Sequence, residues 1–290
     1  NLEYAGNSLN SVFAQRINFL RPSFLIMLYD VLRFNRKARK DLDTIGESIT
    51  LKKYLSRGRF SKSFIENYIV PMGAAIWSTK ADSILKIPAL FFIRFFKNHD
   101  LLQVADRSNW WVVEGGSSQY VSKMIEGFKS KIRLGSSVVS IKRIGEKVLI
   151  RSQNKSQEEE FDRVIIATHS DQALKMLDDP TAEEKDILTS LPYQSNSALL
   201  HSDESVLPSR KLAWSSWNYA LDQRPNQPVA LTYNMNILQG LSTRKTFCVT
   251  LNSKDSVDSK SVIKELQYEH PLFTTEGIKS QNRKAEISGR

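Results

Sequence analysis

Trp110-Trp111-Val112-Val113-Glu114-Gly115-Gly116-Ser117-Ser118-Gln119-Tyr120 opens the stretch on which the reading of the chain turns. Its two adjacent glycines lack a Cβ, so the backbone can approach another group closely or simply turn tightly there. Behind them Tyr120, Val121, Met124, Ile125 and Phe128 recur at spacings of three and four, which predicts a helix with one apolar face. Val138-Val139-Ser140-Ile141, a turn at Gly145-Glu146 and Val148-Leu149-Ile150 begin a three-stranded meander. Beyond a polar gap at 153–160 comes Phe161-Asp162-Arg163-Val164-Ile165-Ile166-Ala167-Thr168-His169. The run at 164–167 is short, β-branched and without alternation, as in a strand buried on both faces. Ligands of open α/β sheets lie beyond the carboxyl ends of such strands, here at Ala167 and Thr168.

Outward toward the N-terminus, Leu9, Val12 and Phe13 are apolar anchors, and Arg21-Pro22 marks a boundary. A helix is predicted over 22–40, with Phe24, Leu28, Val31 and Leu32 as its buried stripe and basic residues at its C-terminal end. Thr50 can cap a helix over 51–57 that Gly58 ends, and Ser61 or Ser63 starts the next, which Pro71 should kink or end. Met72-Gly73-Ala74-Ala75 is small enough for close helix packing or close ligand approach. Phe91, Phe92, Phe95 and Phe96 cover nearly all sides of a helix, which is the pattern of plain burial. The same residues with Arg94 and Lys97 would also suit a membrane surface or the wall of an apolar tunnel.

Toward the C-terminus, Ser170 or Asp171 caps a short helix over 172–177, and Thr181-Ala182-Glu183-Glu184 is a capping box. Strand patterns follow at 197–201, 212–217, 229–234 and 246–251, with Pro208, Pro225, Asn226 and Pro228 as turn marks. The last stretch, 253–290, is polar with one short helix at 260–267.

A chain of 290 residues holds one large domain or two ordinary ones. No apolar run reaches the roughly 18 residues of a membrane-spanning helix. Cys248, the single cysteine, lies in a strand-like run and reads as a buried thiol, which fits a reducing cytoplasm. His99, His169, His201 and His270 lack metal-ligand spacing, and no metal site is expected. The net charge of +10 gathers at Arg33, Arg36, Lys37, Arg39 and Lys40, and again at Lys52, Lys53, Arg57, Arg59 and Lys62. An anionic partner such as a phospholipid surface or an anionic substrate fits these clusters, and so does a solvated helical face. Nucleic acid is not expected, because no zinc-finger, RNP-type or basic-zipper pattern is present.

The order Gly115-Gly116-Ser117, helix, meander, then Val164-Ile165-Ile166-Ala167-Thr168 resembles the flavin-containing amine oxidase superfamily, with its monoamine oxidase, protoporphyrinogen oxidase and phytoene desaturase types. It is most similar to a bacterial branch of predicted NAD/FAD-binding, amine-oxidase-like proteins. Asn7-Ser8-Leu9-Asn10, Phe13-Ala14-Gln15-Arg16, the run from Pro71 to Ser78, the run from His169 to Leu174 and that from Trp214 to Tyr219 extend the resemblance over most of the chain. It implies a mixed α/β (α+β) fold: an incomplete FAD/NAD(P)-binding Rossmann-like domain with an inserted helical and antiparallel-sheet substrate domain. The implied division is a mainly helical substrate part at 1–109, part of the FAD-binding domain at 110–170, a substrate part with an antiparallel sheet at 171–252, and a return toward the FAD-binding domain at 253–290.

The resemblance also implies roles. Gly115, Gly116 and Ser117 would lie near the flavin, Val138 and Val139 where a backbone meets the adenine, and Ala167 and Thr168 at the strand end lining the dinucleotide site. Trp77, Trp214, Trp217, Tyr219 and Tyr233 are candidates for an aromatic substrate pocket. No catalytic side chain is singled out, because in such enzymes the isoalloxazine ring carries the redox chemistry. None of the twelve glycines forms the Gly-x-Gly-x-x-Gly loop that holds an FAD pyrophosphate, and the second, C-terminal flavin motif is also missing. The expectation is an internal piece of a flavoprotein that oxidises an amine or lipid-like substrate by hydride transfer to non-covalent FAD, in the cytoplasm or at a membrane periphery. The alternatives are a non-catalytic flavoprotein-derived scaffold and a basic peripheral membrane-binding protein.

Overall fold

The computed structural model describes residues 2–79, 81–104, 108–155, 157–221 and 230–289. In chain order the helices are α1 (Leu9–Val12), α2 (Pro22–Asp41), α3 (Leu51–Arg57), α4 (Lys62–Phe64), α5 (Val70–Trp77), α6 (Ala81–Lys86), α7 (Ala89–Asn98), α8 (Ser118–Ile125), α9 (Ser170–Met176), α10 (Ala182–Thr189), α11 (Met235–Gln239) and α12 (Thr275–Gln281). The strands are β1 (Val138–Ile144), β2 (Lys147–Ser152), β3 (Glu159–Phe161), β4 (Tyr193–His201), β5 (Trp217–Ala220), β6 (Ala230–Asn234), β7 (Cys248–Leu251) and β8 (Val262–Pro271). The chain divides into two compact units, Asn1–Gly116 with Ser195–His270 and Ser117–Gln194 with Pro271–Arg290.

In the first unit the helices pack around a phenylalanine core. Phe24, Phe34, Phe64, Phe92 and Phe96 are wholly buried, and Phe34 meets Phe60, Phe64 and Phe92 at ring-centroid distances of 5.6–6.5 Å. The Phe-rich segment is therefore core: Phe92 and Phe96 stack at 4.2 Å, while Arg94 and Lys97 stay on the outer side of α7. Thr50 caps α3 and Ser61 caps α4, each through its side-chain oxygen.

Three expectations need correction here. The buried stripe of α2 is Phe24, Met27, Phe34 and Ala38, joined by Asp30 and Asn35. Leu28 and Val31 are half-buried and Leu32 is exposed, because two apolar stripes run along this helix and the aromatic core selects the one bearing phenylalanines. Leu9 is likewise exposed rather than an anchor. Pro71 does not end its helix. A π-helical stretch at Ile65–Ile69 leads straight into α5. Proline has no N–H for the carbonyl four residues back, that of Asn67, and the Tyr4 hydroxyl donates to it instead at 2.8 Å. Gly73 serves packing: a Cβ there would stand 2.9 Å from Ile84 Cγ2 and 3.0 Å from Phe92 Cε2.

The same unit carries a five-stranded sheet in the order β5-β6-β7-β4-β8. Strand expectations hold at 197–201 and, among the described residues, at 230–234 and 248–251. The turn marks Pro225, Asn226 and Pro228, with Val229, lie outside the described residues. Residues 212–216 are not a strand; a 3-10 turn at Lys211–Ala213 precedes β5, which begins only at Trp217. The helix expected at 260–267 is instead β8, where pairing beside β4 outweighs weak helical patterning.

In the second unit β1, β2 and β3 form the expected antiparallel meander, with Gly145 at φ +59° in the β1–β2 turn. Arg143 on β1 holds both oxygens of Glu184 at 2.8 and 2.9 Å and pairs with Asp179. Glu184 also closes the capping box of α10 by accepting from the Thr181 N–H at 2.8 Å. His169, not Ser170 or Asp171, occupies the cap position of α9, and its side chain makes no cap bond. The largest correction concerns 164–167. The run is not a strand and is not buried: among the described residues none pairs with it, and Ile165 is 92% exposed. β-Branched residues form a strand only where a neighbour supplies the ladder, and none of the described strands lies beside them.

Candidate functional site

Alternation along the sheet of the first unit sorts its side chains by chemistry. Trp217 lies opposite Tyr233 and Tyr233 opposite Val249; Tyr219 lies opposite Leu231 and Leu231 opposite Leu251. Residues two apart point the same way, so these six side chains share one face. Trp217 meets Tyr233 edge-on at 5.7 Å, and Ala75 of α5 packs against this face. The face is apolar, aromatic and only partly covered: Trp217 is exposed, and Tyr219 and Tyr233 are half-buried. Burial raises the Tyr219 phenol to about 12. Tyr4 and Tyr68 stand within electrostatic reach of one another, and Tyr4 also feels Tyr219. Burial first, then these two phenols, pushes the Tyr4 hydroxyl well above its ordinary range. Sequence reasoning missed Tyr4 and Tyr68; the only signal was the freed Asn67 carbonyl ahead of Pro71, which needs a donor.

The opposite face is a sealed polar ladder. His201 Nε2 lies 2.7 Å from Thr250 Oγ1, Thr250 Oγ1 lies 2.8 Å from Thr232 Oγ1, and Asn218 Nδ2 donates to the Thr232 carbonyl at 3.3 Å. All four residues are buried, and burial lowers the His201 pKa. Cys248, paired across from His201, is also buried, which raises its thiol to about 11. The ladder binds the strands together and faces no open space.

The other two candidate tryptophans, Trp77 and Trp214, stand apart from the aromatic face. Trp77 packs among Phe91, Phe92 and Phe95 at 5.0–5.6 Å in the helical core. The Trp214 indole donates to the Pro208 carbonyl at 2.7 Å in the loop before β5, with Lys211 Nζ over its ring at 5.1 Å.

Gly115 and Gly116 both have positive φ, +75° and +86°. Nothing lies within 4 Å of where a Gly116 Cβ would stand, so bare backbone is presented to open space. Ser117 follows at the cap position of α8 without a side-chain cap bond. None of the residues of α8 is buried, and Tyr120, Val121 and Met124 are all exposed. Val138 and Val139 open the edge strand β1. A register shift between Val138 and Ser140 leaves Val139 without a partner on β2. Ala167 and Thr168 are exposed beyond the unpaired run, where the Thr168 hydroxyl donates to the His169 carbonyl at 3.1 Å. Next to them the His169 ring stacks on Tyr193 at 4.5 Å with its Nδ1 buried and unpartnered.

Comparison with known proteins gives this arrangement a context. The fold matches a CLA-producing fatty acid isomerase from P. acnes with a TM-score of 0.65 at 12% identity, over 93% of this chain and 69% of that one. It matches putrescine oxidase at 0.60 and 12%, over 91% and 68%, and cyclohexylamine oxidase from Brevibacterium oxydans IH-35A at 0.54 and 10%, over 87% and 66%. No curated protein sequence matches. The sequence profile of flavin containing amine oxidoreductases matches residues 10–224, well over half of the chain. The chain thus belongs to the flavin-containing amine oxidoreductases, a family of flavin-dependent oxidoreductases.

Proposed function

We propose that this protein is an FAD-dependent oxidoreductase that oxidises a neutral amine or a lipid-like carbon chain. The observation that carries the reading is the diglycine just ahead of α8, where two consecutive φ values are positive, Gly115 is exposed and nothing lies within 4 Å of where a Gly116 Cβ would stand. A flat ring system needs such an approach free of Cβ atoms. Val139, which the register shift leaves without an opposite residue on β2, suits the edge of an adenine, and the exposed Ala167-Thr168 end suits the rest of a dinucleotide. The residues present therefore fit part of an FAD site, while no Gly-x-Gly-x-x-Gly loop in this sequence is available for the pyrophosphate. Bound flavin supplies the hydride acceptor.

The chain's residues bind and orient. In the second unit Ser117, Val138, Val139, Ala167 and Thr168 would hold the cofactor, and in the first the Gly115-Gly116 backbone would leave room for a ring. Cys248 is buried in the sheet and unsuited to a thioether link, in keeping with non-covalent flavin. Trp217, Tyr219 and Tyr233 give the substrate an aromatic wall, while Trp77 and Trp214, set in the helical core and the loop before β5, are not part of it. The strand positions of this wall carry no carboxylate. An alkylammonium would lose hydration there without a counter-ion, so a neutral amine or a hydrocarbon segment is favoured. The buried, reduced thiol suits the cytoplasm, and no described helix is long and apolar enough to cross a membrane.

The test is anaerobic mixing of the FAD-loaded protein with primary amines and with long-chain lipids while the visible flavin band is followed. Bleaching by one class, slowed at least tenfold in Trp217→Ala, supports the reading. A band that neither class bleaches contradicts it.

A further inference from the structure

We propose that the outward stripe of α2 docks on an anionic lipid bilayer. This inference is independent of the flavin reading. α2 is 20 residues long, about 30 Å, and its core side carries Phe24, Met27, Phe34 and Ala38. Leu25, Tyr29 and Leu32 fall at spacings of four and three on the opposite side, with Ile26 beside them. All four are exposed, Tyr29 by 65% and Leu32 by 55%. The same stripe continues one and two turns on as exposed Arg36 and Lys40. Just before α2, the 3-10 turn Arg16–Leu20 exposes Ile17, Phe19 and Leu20.

Charge selects the occupant. Between Leu9 and Lys40 the one acidic residue is Asp30. It is buried, and its carboxylate is taken by Arg33 at 2.7 Å and by the Ser61 N–H at 2.8 Å. Asp41, the last residue of α2, is neutralised by Lys37 at 2.8 Å and accepts from the Tyr54 hydroxyl, so the outward stripe from Leu25 to Lys40 presents apolar side chains and cations without a carboxylate of its own. A second copy of this chain would bring like charges together. An anionic bilayer complements both parts: Leu25, Ile26 and Leu32 enter the acyl boundary, Tyr29 sits at headgroup level, and Arg36 and Lys40 meet the lipid phosphates. Because the cations follow the apolar residues along one stripe, α2 lies obliquely, its N-terminal half deeper.

The test is co-sedimentation of the full-length protein with sucrose-loaded vesicles, phosphatidylcholine alone against phosphatidylcholine with phosphatidylglycerol, at low and high salt. Binding should require phosphatidylglycerol. It should weaken roughly 30-fold in Arg36→Ala/Lys40→Ala, from a loss of about fivefold per cation. It should also weaken at least tenfold in Tyr29→Ser/Leu32→Ser, whose exposed positions leave the core intact. Lys52→Ala/Lys53→Ala should change it less than twofold. The proposal is overturned by absent binding, by equal binding to both vesicles, or by a loss confined to the Lys52/Lys53 variant. A dimer in light scattering that Tyr29→Ser/Leu32→Ser dissociates would also overturn it, assigning the stripe to self-association.

Discussion

In α7 the side chains of Leu90, Phe92, Ile93 and Phe96 are buried, whereas α8 has no buried residue and its Met124 is 69% exposed. Both helices carry apolar residues at spacings of three and four. α7 finds α2, α3 and the Trp77 ring around it; α8 continues into a 3-10 stretch at Glu126–Lys131 that has no buried residue either. A second pair repeats the contrast. Val249 in β7 is laddered on both sides by β4 and β6, while Ile165, with the same β-branched character, pairs with none of the described strands. Periodicity specifies which face of an element is apolar; what covers that face comes from elsewhere in the chain or from a partner.

The contrast predicts unequal costs for similar truncations. Phe92→Ala removes a ring that stacks on Phe96 and meets Trp77, and should cost about 3–5 kcal/mol in urea unfolding. Met124→Ala on α8 should change stability by less than about 0.5 kcal/mol. Equal costs would break the comparison. A loss on Met124→Ala that appears only after FAD is added would sharpen it, by showing that the cofactor-bound form covers α8.

Gly73→Ala tests the tightness of the α7 side. The added methyl meets Ile84 and Phe92 at 2.9 and 3.0 Å, an overpacking cost of about 1–3 kcal/mol against at most about 1 kcal/mol of helical gain. The melting temperature should fall; a rise would mean that Ile84 and Phe92 yield easily.

The sealed ladder of the sheet should respond to acid. Burial lowers the His201 pKa in the folded state, so below about pH 6.5 the unfolded chain binds the proton that the folded one refuses. Stability is then lost as pH falls, by at most about 1.4 kcal/mol per unit from this group. His201→Gln should flatten that part of the profile between pH 6.5 and 5; an unchanged slope would place the acid sensitivity in other groups.

Much of the fold was legible where local chemistry decides it. The Thr181–Glu184 capping box, the Thr50 cap, the Gly145 turn and the meander all stand as read. Errors arose where a partner decides. The run at 164–167 lacks a neighbour, and 260–267 acquires one in β4. α2 carries two apolar stripes, and packing alone chooses between them. For the site, residue type pointed to Trp217, Tyr219 and Tyr233, whose shared face is set by register. Type alone did not separate them from Trp77 in the helical core, and it passed over Tyr4, which reaches Asn67 across the fold.

The most direct measurement is the visible spectrum of the protein, purified with its native ends, incubated with FAD and desalted. The flavin reading predicts bound flavin bands and a raised melting temperature, both lost in Gly116→Val, where a side chain would fill the open approach at φ +86°. Absence of flavin together with an unmoved melting temperature would contradict the assignment of an FAD site to this chain.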